Sequence, residues 1–265
     1  LPSGANAVGL ARVGAQSAGG GKAILEQPPK ALVTWQAGSQ DTYAPAACDR
    51  AREAAGFHVY AGGYACEGVR RTADAVLPLG LPPEIDGTWV NVDGVVQTVA
   101  AGSTLPGDAR PGWKVLRALG GALGIAGFDF TALDAVYARI VDDLSGPGTG
   151  DRGPARPLSA RTPIVDGTIT RLATVGIYRA DAVVRRARAL QAHPLNRAPA
   201  LRISMDDARA LSLLSGFKAD VEGVQLPVIV DAAVPKGCAW IEAGHAATGS
   251  LPPYGAVLGI KAVTA

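Results

Sequence analysis

The feature that most constrains the fold is a strand–helix–strand pattern in residues 31–61. The runs ALVTWQ (31–36) and FHVYA (57–61) are rich in residues that favour β-strands. Between them, CDRAREAAG (48–56) has the composition of a helix that ends at Gly56. Short connections between such elements are typical of a βαβ unit, so we predict an α/β fold with a parallel sheet.

Two amphipathic helices are predicted to follow the strand-like runs AVLPL (75–79) and TWVNV (88–92). The first begins after Pro111, because the first turn of a helix tolerates proline. The second begins at Thr131, with Asp134 as its capping partner. The apolar face of this second helix is expected to lie in the core and comprises Leu133, Val136, Tyr137, Ile140, Val141 and Leu144.

A segment rich in Gly, Pro and Ser, at 145–161, marks the expected domain boundary. It has no apolar period and cannot bury enough surface to offset its ordering entropy. Residues 1–150 are therefore expected to form the α/β domain, and residues 160–265 a smaller β-rich domain. We expect the chain, which does not begin with Met, to be a portion of something longer.

The β-rich domain is predicted to contain two helices among its strands. One covers 181–191, where Arg185, Arg186 and Arg188 are expected to form a solvated face. The other is capped by Ser204, and acids in its first turn are expected from the helix dipole alone. The strand-like runs of this domain are ITRLATVGIY, ALRIS, VQLPVIVDAAV, CAWIEAG and AVLGIKAV.

Composition excludes several functional classes. The net charge is +2 and basic residues are dispersed, so no basic stripe supports nucleic-acid binding. No apolar run approaches the roughly 20 residues of a spanning helix, so direct membrane insertion is not expected. The three cysteines are Cys48, Cys66 and Cys238, and they have no paired spacing, which fits a reducing compartment. Three thiols also cannot supply the four thiolates of an iron–sulfur site.

Motifs for nucleotide and acyl chemistry are missing. GGGK at 19–22 lacks both the first glycine and the Ser or Thr of a phosphate loop, so we predict a flexible loop there. No GxGxxG opens a helix after a strand, and no GxSxG presents a nucleophile on a sharp turn, which removes the main support for dinucleotide enzymes and esterases. His58, His193 and His245 do not pair with carboxylates at metal-ligand spacing and are predicted to be core or surface residues.

The stretch around Glu84 and Asn91 combines acids, hydroxyls and glycines in a way that active sites also do. A structural explanation suffices for its backbone. Ala75 to Leu79 is predicted to be a buried strand that Pro78 ends. Gly87 and Gly94 are predicted to permit turns that other residues would forbid.

Four stretches of the chain resemble one superfamily. ADAVLPL (73–79) followed by PEIDGTWVNVDGVVQ (83–97) is similar to the molybdopterin-oxidoreductase superfamily, whose strand ending in ADxVLP precedes Glu, Gly-Thr, Asn, an acidic-Gly turn and Gln. PGDARPGWKVLRALG (106–120) is most similar to the family of large iron–sulfur subunits of bacterial NADH-quinone oxidoreductase, respiratory complex I. GANAVG (4–9) and VPKGCAWIEAGHAAT (234–248) also resemble that family.

The resemblance implies part of a molybdopterin-oxidoreductase-type parallel-sheet domain, followed by a smaller barrel-like domain. In complex I such a domain is understood to be a scaffold without its ancestral cofactor. The resemblance therefore implies no catalytic, cofactor-binding or metal-binding residue here, and Glu84, Thr88 and Asn91 would only fix loops by hydrogen bonds. The parent complex would carry FMN and iron–sulfur clusters on other segments or subunits.

The same resemblance implies a role in the peripheral arm of NADH:quinone oxidoreductase. The partners would be other subunits of that arm, and the location would be cytoplasmic, peripheral to the inner membrane. An alternative is a fragment of a molybdenum or tungsten oxidoreductase such as a formate dehydrogenase, in which the barrel would hold a pterin dinucleotide. A free-standing hydrolase or NAD enzyme is a third class, whose motifs are missing.

Overall fold

The computed structural model describes residues 5–15, 20–38, 41, 45–145 and 167–263. The predicted boundary segment therefore lies outside the described residues, apart from Ser145. The domain limits at 150 and 160 remain a prediction for the same reason. Spatial proximity divides the chain into two compact units, the first made of Leu1–Gln36, Ala51–Ala65 and Arg70–Pro157, and the second of Ala37–Arg50, Cys66–Val69 and Leu158–Ala265.

The described residues contain α-helices and β-strands in the mixed order expected of an α/β protein. The helices are α1 (Ala7–Arg12), α2 (Gly20–Glu26), α3 (Pro45–Ala54), α4 (Glu67–Thr72), α5 (Gly112–Ala122), α6 (Leu133–Ser145), α7 (Arg188–Gln191) and α8 (Met205–Ala210). The strands are β1 (Ala31–Trp35), β2 (Phe57–Gly62), β3 (Ala75–Pro78), β4 (Gly87–Val90), β5 (Val96–Val99), β6 (Ile169–Leu172), β7 (Leu201–Ile203), β8 (Lys218–Val221), β9 (Val224–Val230), β10 (Cys238–Trp240), β11 (Val257–Leu258) and β12 (Ile260–Ala262).

The first unit is built on a parallel sheet in the order β1-β2-β3, which confirms the predicted βαβ pattern. Val33 pairs with Val59 and Val59 pairs with Ala75, so residues in register share a face of the sheet. The prediction that 75–79 is a buried strand is wrong, because β3 lies at an edge and Val76 is 47% exposed. Only Leu79, just beyond the strand, is buried.

Strands β4 and β5 form an antiparallel hairpin. Gly94 has φ +83° at its turn, as predicted, and donates from its backbone N–H to the carbonyl of Asn91. The prediction that Gly87 makes a turn is wrong, because Gly87 is the first residue of β4. Its lack of a side chain has another reason: an added Cβ would lie 2.4 Å from the ring of Trp89.

The predicted apolar face of α6 is confirmed as core in part. Leu144 is buried with Val8 and Val90, and Tyr137 and Ile140 pack against this cluster. Hydrogen bonds of two polar side chains stabilise the same region. Asn6 accepts a 2.8 Å hydrogen bond from the backbone of Val90, and Arg12 donates to the carbonyls of Gly94 and Leu144.

The second unit contains a mixed, nearly closed seven-stranded sheet in the order β11-β6-β10-β7-β9-β8-β12, which confirms the predicted barrel-like domain. Strand β8 was not predicted. It pairs with β9 through a tight turn at Glu222 and Gly223, both of which have positive φ. The core is aliphatic and consists of Leu201, Ile203, Ala208, Leu213, Ala219, Val221, Leu226, Val228, Ala239, Ile241, Leu251, Leu258 and Ile260.

The prediction of one helix over 181–191 is wrong. A 3-10 turn at Val184–Arg186 and the four residues of α7 are separated by Ala187, whose ψ of 99° breaks the helix. The prediction of a solvated arginine face is wrong for Arg185, whose side chain is only 6% exposed. It forms an ion pair with Asp41.

The helix cap at Ser204, the segment at 19–22 and the length of the helices bear on three further expectations. The cap at Ser204 is confirmed, since its hydroxyl accepts a hydrogen bond from the backbone of Asp207. The loop predicted at 19–22 is wrong, because helix α2 begins at Gly20. Among the described residues, no helix is long and apolar enough to cross a bilayer.

Candidate functional site

A crevice of about 280 Å³ lies where strands β2 and β3 of the first unit end. Ligands of open α/β sheets bind beyond the carboxyl ends of parallel strands, so this crevice is a candidate ligand-binding site. The crevice is lined by Gly62, Gly63, Tyr64, Pro78, Leu79, Leu81, Glu84, Pro106, Asp108 and Ala109.

The strand end that forms one side of the crevice is tightly packed. An added Cβ at Gly63 would lie 2.7 Å from the side chain of Leu81, so the two segments approach closely only because Gly63 has no side chain. The backbone N–H of Gly63 donates to Oε1 of Gln36. The Tyr60 hydroxyl donates to the carbonyl of Tyr64 at 2.6 Å. These bonds fix the backbone around the opening.

The charged side chains in the crevice are acidic. Oε2 of Glu84 accepts a 2.8 Å hydrogen bond from the backbone of Leu81, which closes the 3-10 turn at Pro82–Glu84. Asp108 is the second carboxylate in the lining. None of the lining residues is Lys, Arg or His.

A pterin dinucleotide, which the superfamily resemblance suggests as an ancestral ligand, does not fit this lining. Its pyrophosphate is anionic, and such groups are held by cations or by clusters of free backbone N–H groups. Glu84 and Asp108 would instead repel it. The geometry supports a fixed loop in which Glu84 is a structural acceptor.

The structure does not bring Thr88 and Asn91 into this crevice. Oδ1 of Asn91 accepts hydrogen bonds from the backbone of Asp93 and Val95, so its predicted role in fixing the loop is confirmed. Thr88 lines a separate, open groove of about 410 Å³. The groove residues are Asp86, Gly87, Thr88, Thr98, Val99, Ala100, Leu133, Asp134 and Tyr137.

The three histidines lie in three different environments. His58 is fully buried in β2, and burial lowers its pKa. His193 is exposed and its ring packs 5.1 Å from that of Tyr178. His245 is 6% exposed, with burial and then the charge of Arg179 lowering its pKa.

His245 corrects one expectation, because its Nε2 lies 3.5 Å from a carboxylate oxygen of Glu242. A His and a carboxylate alone do not make a metal site. Among the residues that the structure describes, no group of three or more His, Cys, Asp or Glu side chains could hold a metal ion.

Burial disfavours redox or nucleophilic chemistry at two of the three cysteines. Cys48 and Cys238 are buried, and no disulfide joins the three described cysteines. Burial, together with the nearby carboxylate of Asp207, raises the pKa of the Cys238 thiol. A raised pKa disfavours the thiolate, which is the form that reacts and binds metal.

Sequence reasoning did not single out Tyr64 or Asp108 as lining residues. Asp108 lies in GDARPG, one of the stretches that carry the family resemblance, and nothing in its spacing from Glu84 indicates that the two carboxylates line one crevice. Both lie in the segment between β3 and α5, on either side of the β4–β5 hairpin, and the path of that segment brings them to one crevice.

No protein-family model matches the chain. Curated proteins match parts of the chain. The 78 kDa subunit of mitochondrial NADH-ubiquinone oxidoreductase from Neurospora crassa is 45% identical over 69 residues, which are 26% of this chain and 9% of that protein. NADH dehydrogenase [ubiquinone] iron-sulfur protein 1 from Solanum tuberosum is 30% identical over 139 residues, 50% of this chain and 18% of that protein.

This chain is related to the large subunit of complex I. A 75 kDa subunit from Reclinomonas americana is likewise 41% identical over 63 residues, 24% of this chain and 9% of that protein. The chain spans less than a fifth of the length of these curated relatives. The similarity therefore concerns the matched residues alone.

A solved structure agrees on the fold. Acetylene hydratase from Pelobacter acetylenicus aligns with 91% of this chain and 46% of its own, with a TM-score of 0.60 and 14% identity. At that identity the likeness concerns the fold alone. It supports the molybdopterin-oxidoreductase-type fold that the sequence resemblance implies.

Proposed function

We propose that this chain is a structural portion of the peripheral arm of an NADH:quinone oxidoreductase. It would support electron transfer from NADH to quinone as part of the whole complex, without a redox centre of its own. FMN and iron–sulfur clusters would lie on other segments or subunits. Its partners would be other subunits of the arm, on the cytoplasmic side of the inner membrane.

The relationship to the large subunit of complex I supports membership of that assembly. The observation that carries the scaffold role is the lining of the crevice at the ends of β2 and β3. Open α/β sheets bind their ligands in the crevice beyond the carboxyl ends of the strands. Here Glu84 and Asp108 line it without a cation, and Glu84 already bonds the backbone of Leu81.

The proposal is tested by following a tagged copy of the chain in the membranes of its source organism. Membranes are solubilised in mild detergent and separated on a native gel, which is stained for NADH oxidation and probed for the tag. We expect the tag to migrate with the NADH-oxidising band. Membranes that carry the untagged chain are the control for non-specific staining.

A tag that migrates only apart from the NADH-oxidising band, as a free protein, would contradict membership of the complex. A tag that co-migrates with a molybdenum- or tungsten-containing band lacking NADH oxidation would instead support the alternative, an oxidoreductase such as a formate dehydrogenase.

A further inference from the structure

Residues 176–197 of the second unit form a small lobe, which we call the arginine lobe. Two 3-10 turns, Ile177–Arg179 and Val184–Arg186, and the short helix α7 make up much of its backbone. None of its residues is buried, and the same holds for the whole stretch from residue 172 to residue 200. The arginine lobe therefore has no apolar core of its own.

Half-buried polar side chains hold the arginine lobe together. The side-chain amide of Gln191 donates to the carbonyls of Tyr178 and Val184. The side-chain amide of Asn196 donates to the carbonyl of Gln191, and its Oδ1 accepts from Nε of Arg179 at 3.0 Å. These hydrogen bonds fix the path of the backbone without apolar packing.

Large aliphatic side chains of the arginine lobe face outward. Ile177 is 73% exposed, Leu195 64% and Val183 43%. A segment with amide groups inside and aliphatic side chains outside gains stability when a neighbour covers the aliphatic surface, because that surface then leaves water. The arrangement indicates an interaction surface.

The exposed charges of the same lobe are positive. Arg186, Arg188 and Arg197 are exposed. Within the described part of the chain, the guanidinium groups of Arg188 and Arg197 have no hydrogen-bond or ion-pair partner. Asp181 is the one acid in the sequence of the lobe, and its Oδ1 already accepts from the backbone of two residues. The lobe itself therefore leaves this positive charge unneutralised.

We propose that the arginine lobe binds a protein surface on which acidic and aliphatic side chains alternate. Carboxylates of the partner would pair with Arg188 and Arg197, since the planar guanidinium group matches a carboxylate in two parallel hydrogen bonds. Aliphatic side chains of the partner would cover Ile177 and Leu195. The composition agrees, because Arg is enriched at protein interfaces, whereas Lys and Glu are depleted there and do not occur in the lobe.

Two other anionic partners fit the arginine lobe less well. A nucleic-acid backbone would pair with the arginines but would leave the exposed aliphatic side chains uncovered. Membrane surfaces are typically bound by an amphipathic helix with a continuous apolar face, and the α-helix of the lobe has only four residues. The proposal rests on the lobe and not on the proposed function, and the two can fail separately.

The proposal is tested with a photo-crosslinking amino acid placed at Ile177, and separately at Leu195, in the full chain in its source organism. The captured molecules are then sequenced. The matched control carries the same amino acid at Leu123, an aliphatic residue of the first unit that is 72% exposed. We expect both test positions to capture one surface of one other protein, with Asp or Glu in the captured peptides, and the control not to capture it.

Charge reversal provides the second measurement. Arg188→Glu and Arg197→Glu should leave the melting temperature unchanged, because both side chains are exposed, and together should reduce capture from position 195 at least tenfold. Arg70→Glu, at an exposed arginine of the first unit, should leave capture unchanged. Replacing the captured acids of the partner with Arg should restore capture by the Glu variant.

Several results would overturn the proposal. They are capture of nucleic acid, of lipid, of this chain itself, of a peptide without acids, or of nothing from either position. Capture that survives reversal of both arginines, or that the reciprocal change in the partner does not restore, would overturn it as well.

Discussion

His58 and Thr34 share a hydrogen bond of 2.8 Å between imidazole Nε2 and the threonine hydroxyl, inside the first unit. Nδ1 of the same ring faces the carbonyl of Thr72, which can only accept, so Nδ1 carries the proton and Nε2 accepts from Thr34. The neutral imidazole is thus hydrogen-bonded at both ring nitrogens. Burial lowers the pKa of His58 in the same direction.

This pair predicts a loss of stability in mild acid. Above the ordinary His pKa of 6.5, the folded and unfolded states are both neutral at this position. As the pH falls below that value, the unfolded chain binds a proton that the folded chain does not, so the free energy of unfolding decreases. Denaturant titrations at pH 7.5, 6.5 and 5.5 should show this decrease.

His245 contributes with the same sign, because its pKa is also lowered. His58→Gln should therefore flatten the pH dependence only in part. Stability that rises toward pH 5.5 would contradict the assignment of a neutral buried His58.

Ile140 tests the apolar face of α6. It packs against the cluster of Val8, Val90 and Leu144, so Ile140→Asp places an unpaired charge in an apolar region. We expect a loss of about 2–4 kcal/mol in the free energy of unfolding. Ala138→Asp puts the same charge on the exposed side of the same helix and should cost less than about 0.5 kcal/mol. Equal effects would show that the face is not buried.

Asp206 and Asp207 are adjacent acids with different surroundings. Oδ2 of Asp207 accepts from the Ser204 hydroxyl at 2.7 Å and from the backbone of Gly237 at 2.8 Å, while Asp206 is exposed. Asp207→Ala should cost about 2–3 kcal/mol, because it strands a buried N–H and removes a charge-assisted bond. Ser204→Ala should cost about 1 kcal/mol as a lost helix cap. In thermal denaturation, Asp206→Ala should leave the stability nearly unchanged. A large loss of stability in that variant would contradict the assignment of the structural role to Asp207.

Gly94 tests the hairpin turn. Its φ of +83° is unfavourable for a residue with a side chain, so Gly94→Ala should destabilise by about 1–2 kcal/mol. Gly121→Ala is the matched change, since an added Cβ there meets nothing within 4 Å and the residue lies in helix α5. That variant should be neutral or more stable by up to about 1 kcal/mol. A neutral Gly94→Ala in chemical denaturation would argue against the turn.

Local signals predicted the parts of the fold that depend on local chemistry. Strand propensity and short connections were enough for β1, α3 and β2, and a capping residue was enough for Ser204. Strand β8, with the sequence KADV, has a basic and an acidic residue in four positions, so its burial depends on pairing with β9 rather than on apolar periodicity.

Tertiary contacts account for the other differences. Arg185 is buried because Asp41, far away in sequence, supplies its counter-charge. The facing of Glu84 and Asp108 in one crevice is likewise a product of chain topology. No sequence pattern specifies pairings of this range.

The absence of a redox centre is the central claim, and anaerobic purification of the chain tests it most directly. The purified chain is assayed for iron, molybdenum and pterin by elemental and fluorescence analysis, and for NADH-to-ferricyanide turnover. We predict substoichiometric iron and molybdenum, no pterin and no NADH-to-ferricyanide turnover. Stoichiometric molybdenum or pterin, stoichiometric iron, or turnover by the chain alone would contradict it.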